Sequence, residues 1–339
     1  MCSYRELDTF YRMETAMKYR KVGKTDVSVS EISLGCWTMG GRNWNRGVSI
    51  GWADPDEGEI IKAVHYALDS GVNHFDNADV YGNGRAERML ARSLEGMKKD
   101  VVIATKVGHF QGTAPFAYTP LHIRSQCEQS LENLQRDWID IYYFHHGDFG
   151  PNDQFLEGAV ETMHRLRDEG KIRLIGLSAY SEDDFERLIP RIEPDVLQGY
   201  ANYMRDTFIR PGNRLPRIME ERGLSIVTFS PLGRGLLLDK FDPNKPPEFE
   251  EGDNRRGRAD FSPENIARVH QKMLNVRDRF GSSPEDLARV AVQFLLAHKH
   301  VCCPIVGFRN TNQLKIDLAG ADKPLHEEDV KWLRELFAT

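Results

Sequence analysis

What this sequence lacks narrows its class before any motif is read. No apolar run approaches the length of a membrane-spanning helix and no secretory pattern opens the chain, so no membrane partner and a cytoplasmic setting are expected. Cysteines are few: Cys2, Cys36, Cys127, Cys302 and Cys303 are odd in number and stand at no paired spacing, which argues against a disulfide framework or a structural zinc. A basic excess is absent too. The formal net charge is −6 and the isoelectric point lies near 6.0, whereas a nucleic-acid partner needs a cationic stripe to neutralise phosphates. Compact metal-ligand motifs are missing, so no metal is expected. What is present is an ordinary globular balance, 40% hydrophobic and 28% charged over 339 residues, a length that single α/β barrels commonly reach.

Short apolar runs at 32–35, 72–75, 101–105, 139–144, 174–177, 196–198, 225–229 and 301–305 read as eight strands. Residues 17–30 read as two further short strands around the turn Gly23-Lys24-Thr25-Asp26, a β-hairpin. Between the eight runs lie stretches of helical period with recognisable starts. Asp54 can cap, Pro55 suits the first helical position, and Glu57 completes a capping-box pattern. Ile60, Ile61, Val64, Ala67 and Leu68 then line one face, and Gly71 closes the helix. The same start logic recurs at Thr119-Pro120, at 181–184 and at 283–286.

Strand–helix repetition implies parallel strands joined by crossovers. Eight units favour an α/β fold of the closed (β/α)8 TIM-barrel type over an open doubly wound sheet, because closure leaves no exposed edge. Residues 17–339 are expected to form one barrel domain. Residues 1–16 are polar and without period, an extension expected to be flexible or to arise from a gene start upstream of Met13 or Met17. The stretch 238–261, rich in proline, glycine and charge and carrying Arg255, Arg256 and Arg258, is expected to be a lid or disordered.

Four polar residues fall at or just past strand ends: Asp76, Tyr81, Lys106 and His145. Chemistry in barrels of this type gathers at the C-terminal ends of the strands. A phenol is a poor acid at neutral pH unless its anion is stabilised, which Lys106 close to Tyr81 would do, with Asp76 as the lysine's counter-charge. A neutral His145 could donate to a carbonyl oxygen and orient it toward the phenol. Side chains at 139, 141, 143 and 145 share one strand face, so His145 and His146 point oppositely, and the pattern alone leaves open which points inward. Each of the four taken singly is an ordinary structural group; their conjunction on four strand ends points to a site.

The run Phe75-Asp76-Asn77-Ala78-Asp79-Val80-Tyr81-Gly82, the strand ending Thr105-Lys106, and the segment Asp140 to His145 closely resemble the aldo-keto reductases, and the resemblance extends from about 19 to 318. It implies a barrel plugged by the N-terminal β-hairpin, NADPH bound in extended form with NADH disfavoured, and reduction of aldehydes or ketones by an alcohol dehydrogenase of the NADP type. By this resemblance Tyr81 is the general acid, Lys106 and Asp76 its tuning pair, and His145 the orienting residue. Ser178 and Gln198 would hold the nicotinamide carboxamide, and Phe229 would stack under the ring. Ser230, Leu232, Gly233, Arg234 and Gly235 would line the pyrophosphate. Gly307, Arg309, Gln313 and Asp317 fall in the adenosine-binding segment, with Arg309 placed for the 2′-phosphate.

Three positions depart from the family pattern. Ala179 stands where asparagine usually follows the serine, removing one carboxamide contact, and Phe229 stands where tyrosine is frequent. Asp317 replaces asparagine and would accept from adenine without donating. Trp37 is the leading candidate for the substrate wall, beside Tyr81 and His145, with Trp44, Trp52, His109 and Phe110 behind it. Such a wall suits a small-molecule carbonyl partner that is apolar or aromatic rather than a sugar. The resemblance also allows a nucleotide-sensing binding subunit with negligible turnover, since some relatives associate with ion channels. A metal-dependent barrel enzyme using Asp76, Asp79 and His145 is the remote third reading, and no oligomeric state is assigned.

Overall fold

The computed structural model describes residues 17–45, 47–245 and 247–338, so the reading of residues 1–16 lies outside the described residues. An antiparallel hairpin, β1 (Tyr19–Lys21) and β2 (Ser28–Ser30), turns through Gly23. That glycine has φ +55°, and a Cβ there would stand 3.0 Å from the Asp195 carbonyl oxygen. Its backbone N donates to Ser225 Oγ at 2.8 Å, and Arg20 Nη1 donates to the Val301 carbonyl at 2.9 Å. All three partners sit at the N-terminal ends of barrel strands, so the hairpin closes that end. Val22 and Val29 pack fully buried with Ala104, Ile141, Tyr143, Val196, Val227 and Cys303 to fill the barrel interior.

Strand β3 (Ser33–Gly35) leads into a short two-stranded ribbon, β4 (Trp44–Asn45) and β5 (Val48–Ser49). The remaining strands are β6 (His74–Asp76), β7 (Val102–Val107), β8 (Ile139–Phe144), β9 (Ile172–Ser178), β10 (Val196–Tyr200), β11 (Ile226–Phe229) and β12 (Val301–Gly307). They close with β3 in the order β10-β11-β12-β3-β6-β7-β8-β9, every neighbouring pair parallel. Alternation sets the two layers. Ala104, Ile141 and Tyr143 face the interior, while Phe75, Ile103, Tyr142 and Phe144 join the larger core between strands and helices. Gly176 admits the Tyr143 ring, since a Cβ there would run into Tyr143 Cδ1.

The helices are α1 (Glu57–Asp69), α2 (Arg85–Ser93), α3 (Pro120–Leu134), α4 (Leu156–Asp168), α5 (Glu182–Ile192), α6 (Arg214–Arg222), α7 (Pro263–Phe280), α8 (Pro284–Leu296), α9 (Thr311–Leu318) and α10 (Glu327–Phe337). Their starts follow capping chemistry. Ser181 Oγ accepts from Asp184 N at 3.1 Å, and Ser283 with Asp286 forms a reciprocal capping box. Helix α1 differs from its sequence pattern: Asp56, not Asp54, is the N-cap, accepting from Glu59 N at 2.9 Å. Asp54 is drawn away, accepting from Arg42 N at 3.0 Å and pairing with Arg85. Among the described residues no helix is long and apolar enough to cross a membrane.

Candidate active site

Parallel register brings the C-terminal ends of β6 and β7 side by side, with Asp76 opposite Ala104 and Lys106 two residues further along. Lys106 Nζ donates to Asp76 Oδ1 at 2.5 Å and to the Asn77 carbonyl at 2.5 Å. Gln198 Nε2, on β10 across the barrel, donates to Asp76 Oδ2 at 2.7 Å, so both carboxylate oxygens are engaged. The lysine side chain is 1% exposed and the aspartate 5%, which makes this a desolvated ion pair held by three hydrogen bonds. Tyr81, in the turn after β6, places its ring centroid 5.1 Å from Lys106 Nζ. One face stacks on Trp37 at 5.8 Å and 22°, and His145 meets the ring edge-on at 6.1 Å.

Burial pushes the Tyr81 phenol well above its ordinary value, and the Asp76 carboxylate adds to the push. The phenol is therefore a protonated donor across neutral pH. His145 moves the opposite way: burial first, then the neighbouring His109, Lys106 and His146, hold it well below the ordinary imidazole range and so neutral. Its Nδ1 is buried with no partner. His146 turns outward, its Nε2 3.1 Å from the Gly108 carbonyl and its Nδ1 accepting from Asp148 N at 3.2 Å.

A cavity of about 660 Å³ opens at this rim. Asp76, Tyr81 and His145 line its floor with Trp37, and Lys106 lies behind Asp76. Ser178, Gln198 and Phe229 line the next sector, followed by Ser230, Leu232, Arg234 and Gly235. Gly307, Arg309, Gln313 and Asp317 line the far end. Gly233 is the exception, a buried turn residue with φ +55° that does not reach the cavity. Of the other wall candidates, Trp52 and His109 line this cavity, whereas Trp44 and Phe110 line an adjacent one of about 500 Å³.

The wall also holds residues that sequence reasoning missed. Tyr180 reaches in from the loop after β9, its hydroxyl 3.1 Å from His109 Nε2. Lys240, Arg255 and Arg258 come from the long loop, which lies along the cavity rim. The arginine cluster in that loop was the available signal, but no local pattern tied it to strand ends over a hundred residues away. Asp317 is the buried acid at the far end of the cavity. Burial pushes its carboxyl well above the ordinary carboxylate range, with Lys240 partly opposing. That direction favours the protonated carboxyl, which can donate as well as accept.

These residues fit a phosphorylated dinucleotide. Five cations, Arg234, Lys240, Arg255, Arg258 and Arg309, gather along one side of the cavity. Arg234 Nε is buried without a partner, and a Cβ at Gly307 would meet nothing within 4 Å, so the wall there is held open. Turn residues Ser230 and Arg234 take φ of 61° and 55°, and they line the cavity with Pro231, Leu232 and Gly235. Among the described residues no group of three or more His, Cys, Asp or Glu is placed to hold a metal ion.

The sequence profile of the Aldo/keto reductase family matches residues 31–338. L-galactose dehydrogenase of Arabidopsis thaliana is 27% identical over 312 residues, covering 90% of this chain and 88% of that protein. Among solved structures, glycerol dehydrogenase of Gluconobacter oxydans superposes with a TM-score of 0.77 at 24% identity, covering 94% of this chain and 95% of the other. An aldo-keto reductase from Bacillus halodurans in its holo form gives 0.73 at 24% identity, covering 94% and 96%. At that identity the two structures speak for the shared (β/α)8 barrel.

Proposed function

The chain belongs to the aldo/keto reductase family, whose members carry out NAD(P)-dependent oxidoreduction of carbonyl compounds, and on that premise we propose that it reduces an aldehyde or ketone with NADPH, Tyr81 supplying the proton. The observation that carries this reading is the Tyr81 phenol and the His145 imidazole facing one cavity whose other end is cationic, with burial favouring the protonated phenol and the neutral imidazole. The bound nicotinamide supplies the hydride. Ser178 offers a neutral hydroxyl to the carboxamide, and the Phe229 ring offers a flat face. Arg234 with the backbone of Ser230, Leu232 and Gly235 would take the pyrophosphate, and Arg309 would take the 2′-phosphate.

Imidazole N–H donation from His145 fixes the carbonyl oxygen beside Tyr81. As negative charge develops on that oxygen, the phenol O–H bond breaks and its proton closes the alcohol. The resulting phenolate lies near the Lys106 ammonium, 5.1 Å from the ring centroid, whose positive charge stabilises it against the opposing push of burial and of the Asp76 carboxylate. Trp37, Ile50 and Trp52 make an apolar wall suited to a medium-sized apolar or aromatic carbonyl, and Asn45 with the His109–Tyr180 pair adds polar edges.

The test is NADPH oxidation against a panel of aromatic, aliphatic and polyhydroxy carbonyls, with NADH in parallel. Turnover of at least one carbonyl class with NADPH above NADH is the expected result. Tight NADPH binding with no turnover across the panel would favour the nucleotide-sensing binding subunit instead.

A further inference from the structure

The loops after β7 and β9 meet across the strand that lies between them. In the barrel order β7-β8-β9, His145 follows the middle strand. His109, past the end of β7, and Tyr180, past the end of β9, join with His109 Nε2 3.1 Å from the Tyr180 hydroxyl. The His109 ring lies 4.3 Å from that of His145 at 62° and 4.8 Å from that of His146. Asn45 Nδ2 donates to the His109 carbonyl at 2.8 Å, which ties this loop to the β4–β5 ribbon. On the other flank the Tyr180 ring meets Phe229 edge-on at 6.5 Å. All of these residues except His146 line the one cavity, and Tyr180, 56% exposed, stands at its mouth.

This bridge keeps one hydrogen-bond donor in reserve. Burial first, then His146 and Lys106, lowers His109 to about 3, so at neutral pH its imidazole carries one N–H, and a phenol of ordinary acidity carries one O–H. Their mutual hydrogen bond uses one of the two. If the phenol donates to Nε2, the imidazole keeps Nδ1–H; if Nε2–H donates, the phenol keeps its O–H. Either tautomer leaves one donor and at least one lone pair for a ligand.

Distance from the reacting carbon decides what meets them. His145 is placed to hold the carbonyl oxygen, and the bridge begins one ring contact further out, with the Tyr180 ring 6.3 Å from that of His109. An oxygen on the carbon next to the carbonyl stays beside His145. One carried across an aromatic ring reaches the bridge, and Trp37, Ile50 and Trp52 wall the space for that ring.

We propose that the His109–Tyr180 bridge is the specificity-determining pair of the site and that it selects aromatic aldehydes or ketones carrying a ring hydroxyl. The proposal rests on the carbonyl-reductase reading above. A phenolic hydroxyl both donates and accepts, which matches the donor and lone pair left on the bridge. A methyl group of similar size matches neither and displaces their water, so a hydrogen bond made is set against one lost. The neutral bridge offers no counter-charge to a carboxylate at the same ring position. Its contact lies away from the reacting atoms, so its effect falls on KM more than on kcat.

The experiment measures kcat and KM of the whole chain, with whichever nicotinamide nucleotide supports turnover, for benzaldehydes carrying a hydroxyl or a methyl group at the meta or the para position. In at least one position wild type is expected to favour the hydroxyl over the methyl by about tenfold in kcat/KM, chiefly through KM. Tyr180→Phe removes one oxygen from an exposed ring and leaves the fold intact; it and His109→Leu are each expected to cut that preference by about threefold or more. The double variant Tyr180→Phe/His109→Leu should bring the ratio within about twofold of unity. A bridge that only braces the two loops would lower both members of a substrate pair together and leave their ratio at the wild-type value, which overturns the proposal. A wild type without the preference, or one that reduces other carbonyls but none of this set, overturns it too, and in each case the reductase reading stands. No turnover of any carbonyl overturns the reductase reading, and the proposal falls with it.

Discussion

Replacing Asp76 by asparagine isolates the buried pair at the centre of the site. The change keeps volume and shape but removes a charge that Lys106 meets at 2.5 Å and Gln198 at 2.7 Å. An asparagine must turn its amide nitrogen toward one of these two, and both are donors, so one hydrogen bond becomes a donor-to-donor contact. With the lysine side chain 1% exposed, no water replaces the lost partner. Stranding one member of such a pair costs about 3–5 kcal/mol. Lys106→Met should cost a similar amount by stranding the carboxylate. The double variant Asp76→Asn/Lys106→Met strands neither charge and is expected to lose no more than the milder single variant, so the two losses fail to add by about 3 kcal/mol. Urea unfolding followed by circular dichroism on all four proteins measures this cycle, and NADPH oxidation should be lost in all three variants. Losses that add to within about 0.5 kcal/mol would refute the claim that the two residues act as one desolvated unit.

Two further outcomes follow from particular atoms. Gly176→Ala pushes a Cβ into the Tyr143 ring inside the barrel, and denaturant unfolding should show a loss near the upper end of the roughly 1–3 kcal/mol that overpacking costs; an unchanged midpoint would mean the inner layer is loosely packed. Asp317 has its folded-state value raised above the ordinary 3.8, so its contribution to stability is fully present below 3.8 and is lost as pH rises through the raised value. Asp317→Asn suffers no such loss; its unfolding midpoint should overtake wild type progressively as pH rises and converge with it in acid, and a pH-independent difference would contradict a protonated carboxyl.

Much of the barrel was legible because its strands are short runs of branched and aromatic residues whose period needs no tertiary information. The place of the four proposed site residues was legible for a related reason: Asp76, Lys106 and His145 end such runs, so locating a strand also located its rim residue. Local chemistry misled where a side chain had a distant partner. Asp54 looks like a cap, but Arg42 and Arg85 claim it, and the helix starts two residues later at Asp56. The β4–β5 ribbon was invisible because two-residue strands carry no alternation. Lys240, Arg255 and Arg258 were unplaced because their approach depends on the Gly51–Asp253 bridge, a contact across 202 residues that no window of sequence contains.

The central claim is that Tyr81 is the proton donor of a carbonyl reductase. Tyr81→Phe removes one oxygen and keeps the ring that stacks on Trp37, so the measurement is steady-state NADPH oxidation with the best carbonyl of the panel beside the NADPH dissociation constant of the same variant. The account expects turnover to fall about a hundred- to ten-thousandfold while NADPH affinity stays within about threefold. Turnover retained at the wild-type level would contradict it.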